Sequence, residues 1–373
     1  MANINDYLMW RGDIPINLDF KFNEIDSMIL ARFSYLPFSK IKLNEIETIE
    51  SISTKMKKFE NKDFNYNGDM ELISNLGKSN RFKDMSVTDY VKSNDKKKEK
   101  QFSAITIHIS EKEMYISFLG TDKTILGWKE DFNMSFMDNI PAQLEGCKYL
   151  NSISKKYPKK QIRVGGHSKG GNVAVYSSIT APEEIQNRII QVYNYDGPGF
   201  SENILEKNKD KEIINKISTY IPQDSVIGRI LERKEKCEIV KSIEKGFYQH
   251  DIYSWQVVRN KMVKLDNVTG SSELMNSTLK EWLKNSTPEQ RKIFFDGVFE
   301  IFNSTSANTF GEFSKLWMKN IPTLFSTYRE ISEEDRRVIM KMLRLFAKSY
   351  FSNLKDAGSE KISKTFSRKE ENT

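Results

Sequence analysis

The feature that most constrains this chain is the run RVGGHSKGGNVAVYSS, residues 163–178. It embeds Gly166-His167-Ser168-Lys169-Gly170, a Gly-x-Ser-x-Gly pattern, between an apolar segment (QIRV) and a small-residue segment that reads as a helix. A serine on a sharp strand-to-helix turn holds a strained backbone. The residues two before and two after it must be small, because strand and helix meet there. Gly166 and Gly170 satisfy that demand. Phosphate-binding alternatives fail on order. A P-loop requires Gly-Lys-[Ser/Thr] after four spacer residues, whereas Ser168-Lys169 precedes the double glycine, and Gly165, Gly166, Gly170 and Gly171 do not make Gly-x-Gly-x-x-Gly. The pattern therefore points to Ser168 as a nucleophile.

The surrounding periodicity supplies the context. "FSAITIHIS" alternates Ile105, Ile107 and Ile109, and "EMYISFLGT" follows after a charged turn, which predicts a hairpin. "PAQLEGCKYLNSISKKYP" reads as an amphipathic helix, "RIIQVYNYDGPG" as a strand entering a turn, and "KISTYIPQD" and "CEIVKS" as further strands. Strand, helix and strand in alternation predict an α/β fold: a mostly parallel sheet with helices on both faces. The first hundred residues read as mainly helical, with Ile25, Met28, Ile29 and Phe33 at helical spacing; residues 86–100 are polar and read as a loop. Beyond about residue 270 the strands stop. Thr287, Pro288 and Gln290 form a helix start, and Ser332 followed by acids opens a second long helix. A C-terminal helical appendage with a polar tail is expected.

A serine nucleophile needs a base, and the chain has three histidines. His108 lies within an alternating strand. His167 adjoins the serine, where it serves as buried support. His250, in GFYQHDIYSW, follows the last strand-like segment and is the candidate base. Two aspartates lie between Ser168 and His250 at strand ends, Asp224 in YIPQDSVIG and Asp196 in NYDGPGF; either could orient His250, and Asp224 ranks first. Backbone N–H groups for an oxyanion are expected from Lys169, at the helix start, and from Thr121 after Gly120, where a glycine permits close approach.

Composition narrows the rest. No apolar run reaches the roughly 20 residues of a membrane helix, and the N-terminus lacks the basic start and apolar core of a secretory signal. Two cysteines without Cys-x-x-Cys suggest neither disulfides nor a zinc site, and a cytoplasmic location is expected. The net charge of +7 is spread over lysines, with runs at NDKKKEK and KKYPKK. A solvated surface is the leading reading, and weak contact with anionic membrane is the second. No nucleic-acid-binding signature is present.

Taken together, SFLGTD…GWKEDF, GGHSKGGN, YDGPGF and GFYQHDIYSW, with LARFSYLPF upstream, resemble a family of bacterial lipase-like proteins related to the class 3, fungal-type triacylglycerol lipases. The resemblance spans roughly residues 25–260. It implies an α/β-hydrolase fold and a serine hydrolase acting on an ester, with a small-molecule or lipid substrate and neither cofactor nor metal. It carries the nucleophile to Ser168, the base to His250, the acid to Asp224 and the oxyanion donor to Thr121. Trp128 and Asp131 resemble the Trp-x-x-Asp that follows the oxyanion loop in those lipases, which implies a supporting role. Leu119 stands where they commonly have arginine. The expected organisation is a helical N-terminal part (1–100), an α/β-hydrolase core (101–268) and a C-terminal helical region (269–373). The alternative is a catalytically inactive α/β-hydrolase-fold binding or scaffolding protein with the C-terminal helices as its surface.

Overall fold

The computed structural model describes residues 2–122, 125–209, 211–305 and 321–370. Among the described residues, nine strands form one sheet: β1 (Glu47–Thr48), β2 (Ser86–Asp95), β3 (Lys100–His108), β4 (Glu113–Phe118), β5 (Gln161–His167), β6 (Ile189–Tyr195), β7 (Ile217–Pro222), β8 (Cys237–Val240) and β11 (Lys264–Leu265). A two-stranded ribbon, β9 (Val257–Val258) with β10 (Lys261–Met262), stands apart. The strands lie side by side in chain order. Strands β4 to β8 are parallel, and β1–β2, β2–β3, β3–β4 and β8–β11 pair antiparallel. The sheet is thus mixed, with a parallel centre.

The predicted hairpin is β3–β4. The segment read as a loop at 86–100 is instead β2 followed by a tight turn, with Val87 opposite Ile107. Its hydrophobic alternation is masked by charge because much of the strand faces water, and a bulge between Thr88 and Val91, with Asp89 at φ 55°, breaks the period.

Alternation along the central strands sends side chains to two cores. Ile105, Ile107, Tyr115, Tyr193, Tyr195 and Tyr220 pack on one face against the N-terminal helices α1 (Ile4–Arg11), α2 (Glu24–Phe33), α3 (Ile49–Met56) and α4 (Asp69–Leu76). Met114, Ile116, Phe118, Val164 and Val192 pack on the other against α6 (Pro141–Lys156) and α7 (Lys169–Thr180). Helix α2 starts at Asn23, whose side chain accepts from Ile25 and Asp26 N–H in a capping box. Between β4 and β5 lies α5 (Ile125–Asn133); α8 (Glu183–Arg188) and α9 (Glu202–Asn208) flank β6.

The C-terminal region comprises α10 (Gly270–Lys284), α11 (Pro288–Asn303), helical residues 321–330 (α12) and α13 (Glu333–Glu370). Thr287 caps α11 in the expected box with Gln290, and Ser332 Oγ accepts from Asp335 N–H at 3.0 Å. This bundle has its own core of Trp282, Phe295, Phe299 and Met342. That core extends onto α5 through Trp128 and Phe132, with Phe132 stacked 4.6 Å from Phe295.

Candidate active site

Ser168 sits between β5 and α7 with φ 58° and ψ −133°, a conformation that side chains other than glycine rarely adopt. Surrounding contacts enforce it. The Ser168 N–H donates to the Tyr195 carbonyl at 2.8 Å, and the Ser168 carbonyl accepts from Gly171 N–H at 2.9 Å. The glycines are required by contact. A Cβ on Gly166 would lie 2.4 Å from the Gly170 carbonyl, and one on Gly170 would lie 2.2 Å from the Phe118 carbonyl oxygen.

His250 ends a short 3-10 turn (Gly246–His250) beyond β8. Its Nδ1 lies 2.6 Å from Asp196 Oδ2, and its Nε2 lies 2.9 Å from Ser168 Oγ. An ionised carboxylate only accepts, so Nδ1 carries the proton, and Nε2 accepts from the serine hydroxyl. All three residues lie just beyond the carboxyl ends of the parallel strands, where α/β sheets form their binding crevices.

The expectation that Asp224 orients His250 is corrected: Asp196 does so. Asp196 follows β6 directly and turns inward at φ 53°, a left-handed conformation that Asp tolerates. Its second oxygen accepts from Ser225 Oγ at 2.5 Å and Gly228 N–H at 3.1 Å. Asp224 instead ties the 244–250 loop to α10, accepting from Gly246 N–H at 3.0 Å, Gln249 Nε2 at 3.1 Å and the Thr269 and Ser271 hydroxyls. Its pKa is lowered because these donors outweigh its burial.

On the other side of the serine, the β4 end approaches closely. A Cβ on Gly120 would lie 2.3 Å from the His167 carbonyl oxygen and 3.1 Å from Ser168 Cβ. Thr121 therefore follows at the serine's flank, and its hydroxyl donates to Asp131 Oδ2. The other Asp131 oxygen is buried without a hydrogen-bond partner. Burial pushes this carboxyl up to about 6, against the pull of Lys169 and Thr121. The Lys169 side chain turns away from the serine into the interior, where Nζ donates to Glu130 Oε2 at 2.7 Å and Gln101 Oε1 at 2.7 Å. Glu130 also accepts from the Gln101 and Ala142 N–H groups, so this buried pair is fully hydrogen-bonded and fastens the start of α7 to α5.

His167 is the buried support expected beside the serine, but the layer it belongs to lies beyond sequence reasoning. His167 Nε2–H donates to the His250 carbonyl at 2.7 Å, and its Nδ1 lies 3.1 Å from the Tyr35 hydroxyl. Burial, then the nearby His250, holds His167 well below the usual histidine range, so it is neutral. Behind Tyr35, Arg32 forms a buried bidentate pair with Asp69 at 2.8 and 3.0 Å. The guanidinium lies 3.7 Å from the Tyr66 ring centroid, and Tyr253 donates to Asp69 Oδ1 at 2.9 Å. The available signal is an arginine within the apolar run Met28–Phe33 that ends α2, in LARFSYLPF.

The cavity at Ser168 is narrow, about 40 Å³, and its walls include Trp128, Asp131, Phe132, Met134, Ile227 and Ile230. Met134 also lines a wider cleft of about 750 Å³ between the sheet domain and the C-terminal helices, bordered by Phe136, Phe200, Leu231, Leu283 and Arg291. Leu231, on the wall of the wider cleft, has φ 64°.

A parallel-centred sheet with a strained serine at a strand-to-helix elbow, and Asp and His following it in chain order, defines an α/β-hydrolase fold. The Mbeg1-like family matches residues 76–300, and the chain belongs to that family. Among solved structures it is similar to a Rhizomucor miehei lipase–propeptide complex, at 14% identity over 65% of this chain and 82% of that one, TM-score 0.37. It is also similar to a fungal lipase–inhibitor complex, at 15% identity over 43% and 68%, TM-score 0.34. A Yarrowia lipolytica lipase is similar at 11% identity over 45% and 68%, TM-score 0.30. No curated protein matches. No described helix is long and apolar enough to cross a membrane, and no metal-binding cluster occurs among the described residues.

Proposed function

We propose that this protein is a serine hydrolase of carboxylic esters, of the lipase or esterase type. The observation that carries the reading is the continuous chain Ser168 Oγ–His250 Nε2 at 2.9 Å and His250 Nδ1–Asp196 Oδ2 at 2.6 Å, on a serine held at positive φ. Ser168 Oγ attacks the acyl carbonyl as its proton passes to His250 Nε2, and Asp196 stabilises the imidazolium. The tetrahedral oxyanion is met by the Lys169 and Thr121 N–H groups. The Thr121 hydroxyl, spent on Asp131, fixes the backbone that presents its N–H. Collapse returns the proton from Nε2 to the leaving alkoxide and leaves an acyl ester on Ser168. His250 then deprotonates a water that attacks this ester, and the proton returns to Ser168 Oγ as the carboxylic acid departs. The apolar walls of the cavity suit an acyl group better than a charged one.

The test is intact-mass analysis after a fluorophosphonate probe, together with hydrolysis of nitrophenyl esters of increasing chain length. One adduct per chain, absent from Ser168→Ala, is expected. No adduct, or one that persists in Ser168→Ala, would sink the reading.

A further inference from the structure

Helix α13 is anchored by one face only. Ile339, Met342 and Ser349 are buried toward α10 and α11, Trp282 Nε1 donates to the Met342 carbonyl at 3.1 Å, and Asn353 donates to Glu281 at 2.8 Å. The opposite face is apolar and open. Met340 (38%), Leu343 (47%), Phe351 (61%) and Leu354 (45%) are exposed, and with Ala347 they recur at the spacing of a single stripe. At 1.5 Å per residue the stripe runs about 20 Å. No described element covers it.

Along the length of the stripe itself the charges are basic. Between Arg336 and Lys355 the chain carries six basic residues and no acid. On a 3.6-residue turn, Lys341, Arg344, Lys348 and Lys355 fall together on the flank next to the apolar stripe, and Arg337, a turn before them, is paired with Glu333 at 3.1 Å. A helix that merely faces water mixes its signs and shows few large apolar groups. An apolar stripe edged by cations instead matches a plane with an apolar interior and an anionic rim.

We propose that α13 seats the protein on an anionic lipid surface, with Met340, Leu343, Phe351 and Leu354 in the acyl boundary and the cationic flank in the headgroup layer. Charge complementarity selects this occupant: a straight stripe beside a one-sided row of cations fits a flat anionic interface. The inference does not depend on the chemistry at Ser168.

The experiment is co-sedimentation of the full chain with phosphatidylcholine vesicles, alone and mixed with phosphatidylglycerol, at low and high salt. The expected result is binding to the mixed vesicles that is at least about tenfold tighter than to the neutral ones and that weakens with salt. Lys341→Glu with Arg344→Glu should lose at least about twentyfold, since each cation contributes about fivefold. Phe351→Ser should lose about tenfold. These positions are exposed, so circular dichroism and the urea midpoint should not change. Equal binding to both vesicles, no binding, or variants that bind as wild type would overturn the proposal. So would a concentration-dependent dimer that Phe351→Ser abolishes without vesicle binding, which would assign the face to a second copy. Binding to an acidic protein in place of vesicles would overturn it as well.

Discussion

Asp196→Asn is the substitution that most directly probes the site. Asn tolerates the left-handed conformation at φ 53°, so the turn is preserved. The side-chain amide, however, has no good orientation. If its NH₂ faces His250, Nδ1 must become the acceptor, the proton moves to Nε2 and Ser168 loses its base. If its oxygen faces His250, the NH₂ confronts the Gly228 N–H, which now donates to Asp196 at 3.1 Å, donor against donor. Either outcome also removes the negative charge opposite the imidazolium. A fall in kcat of about a thousand- to ten-thousandfold is expected, or about 4–5.5 kcal/mol of barrier. Asp224→Asn is the control. It weakens the bonds to Gly246, Thr269 and Ser271, which costs about 1–3 kcal/mol of stability but less than about tenfold in turnover. The assay is steady-state hydrolysis of a short nitrophenyl ester together with the rate of fluorophosphonate labelling. Asp196→Asn within tenfold of wild type, or Asp224→Asn as damaging as Asp196→Asn, would refute the assignment.

Other outcomes follow from the same contacts. Asp131 has its pKa raised from 3.8 to about 6, so the folded protein binds more protons than the unfolded chain between those values. Its contribution to stability therefore falls as pH rises through that window and is flat above it. Because the side chain keeps partial exposure, the effect is scaled back to about 2 kcal/mol. Urea melts should find Asp131→Asn near wild type at pH about 4 and more stable by about that amount at pH about 7.5; parallel pH profiles would contradict this. Arg32→Ala leaves Asp69 buried without its cation and should cost about 3–5 kcal/mol in urea unfolding, while an exposed control such as Lys148→Ala should cost little. Gly170→Ala drives a Cβ to 2.2 Å from the Phe118 carbonyl oxygen, a backbone atom that cannot rotate away, and should cost about 3 kcal/mol or more or leave no folded protein.

What the sequence made legible was local. The elbow at Ser168 reads from five consecutive residues because its steric demand is met by near neighbours. His250 was reached by position among three histidines. The choice between Asp196 and Asp224 was not local. Both end adjacent parallel strands, and which one reaches His250 depends on the left-handed turn at Asp196 and on where the 244–250 loop returns. The Asp-Gly-Pro run was the available cue, since Asp tolerates that turn. Strand β2 is hidden by its charged residues Asp89, Lys92 and Asp95, by the lysine-rich turn that follows and by its bulge. The Arg32–Asp69–Tyr253 cluster unites residues far apart in the chain, and only an arginine within the apolar run Met28–Phe33 hints at it. The side chain of Lys169 gains its role only from Glu130, a partner distant in the chain.

The contact between His167 and the His250 carbonyl has a consequence for folding order. Tyr35 meets His167 across 132 residues, and His167 meets His250 across 83. These are high-separation contacts, whose loop-closure entropy makes them late events. The strained turn at Ser168 is set by neighbours in β5, β6 and α7, whereas His250 reaches it only through the 244–250 loop, which rests on His167 and, behind it, Tyr35 of the N-terminal part. Under the proposed mechanism, a chain still emerging from synthesis would carry its serine without its base until residues 244–250 are made and folded.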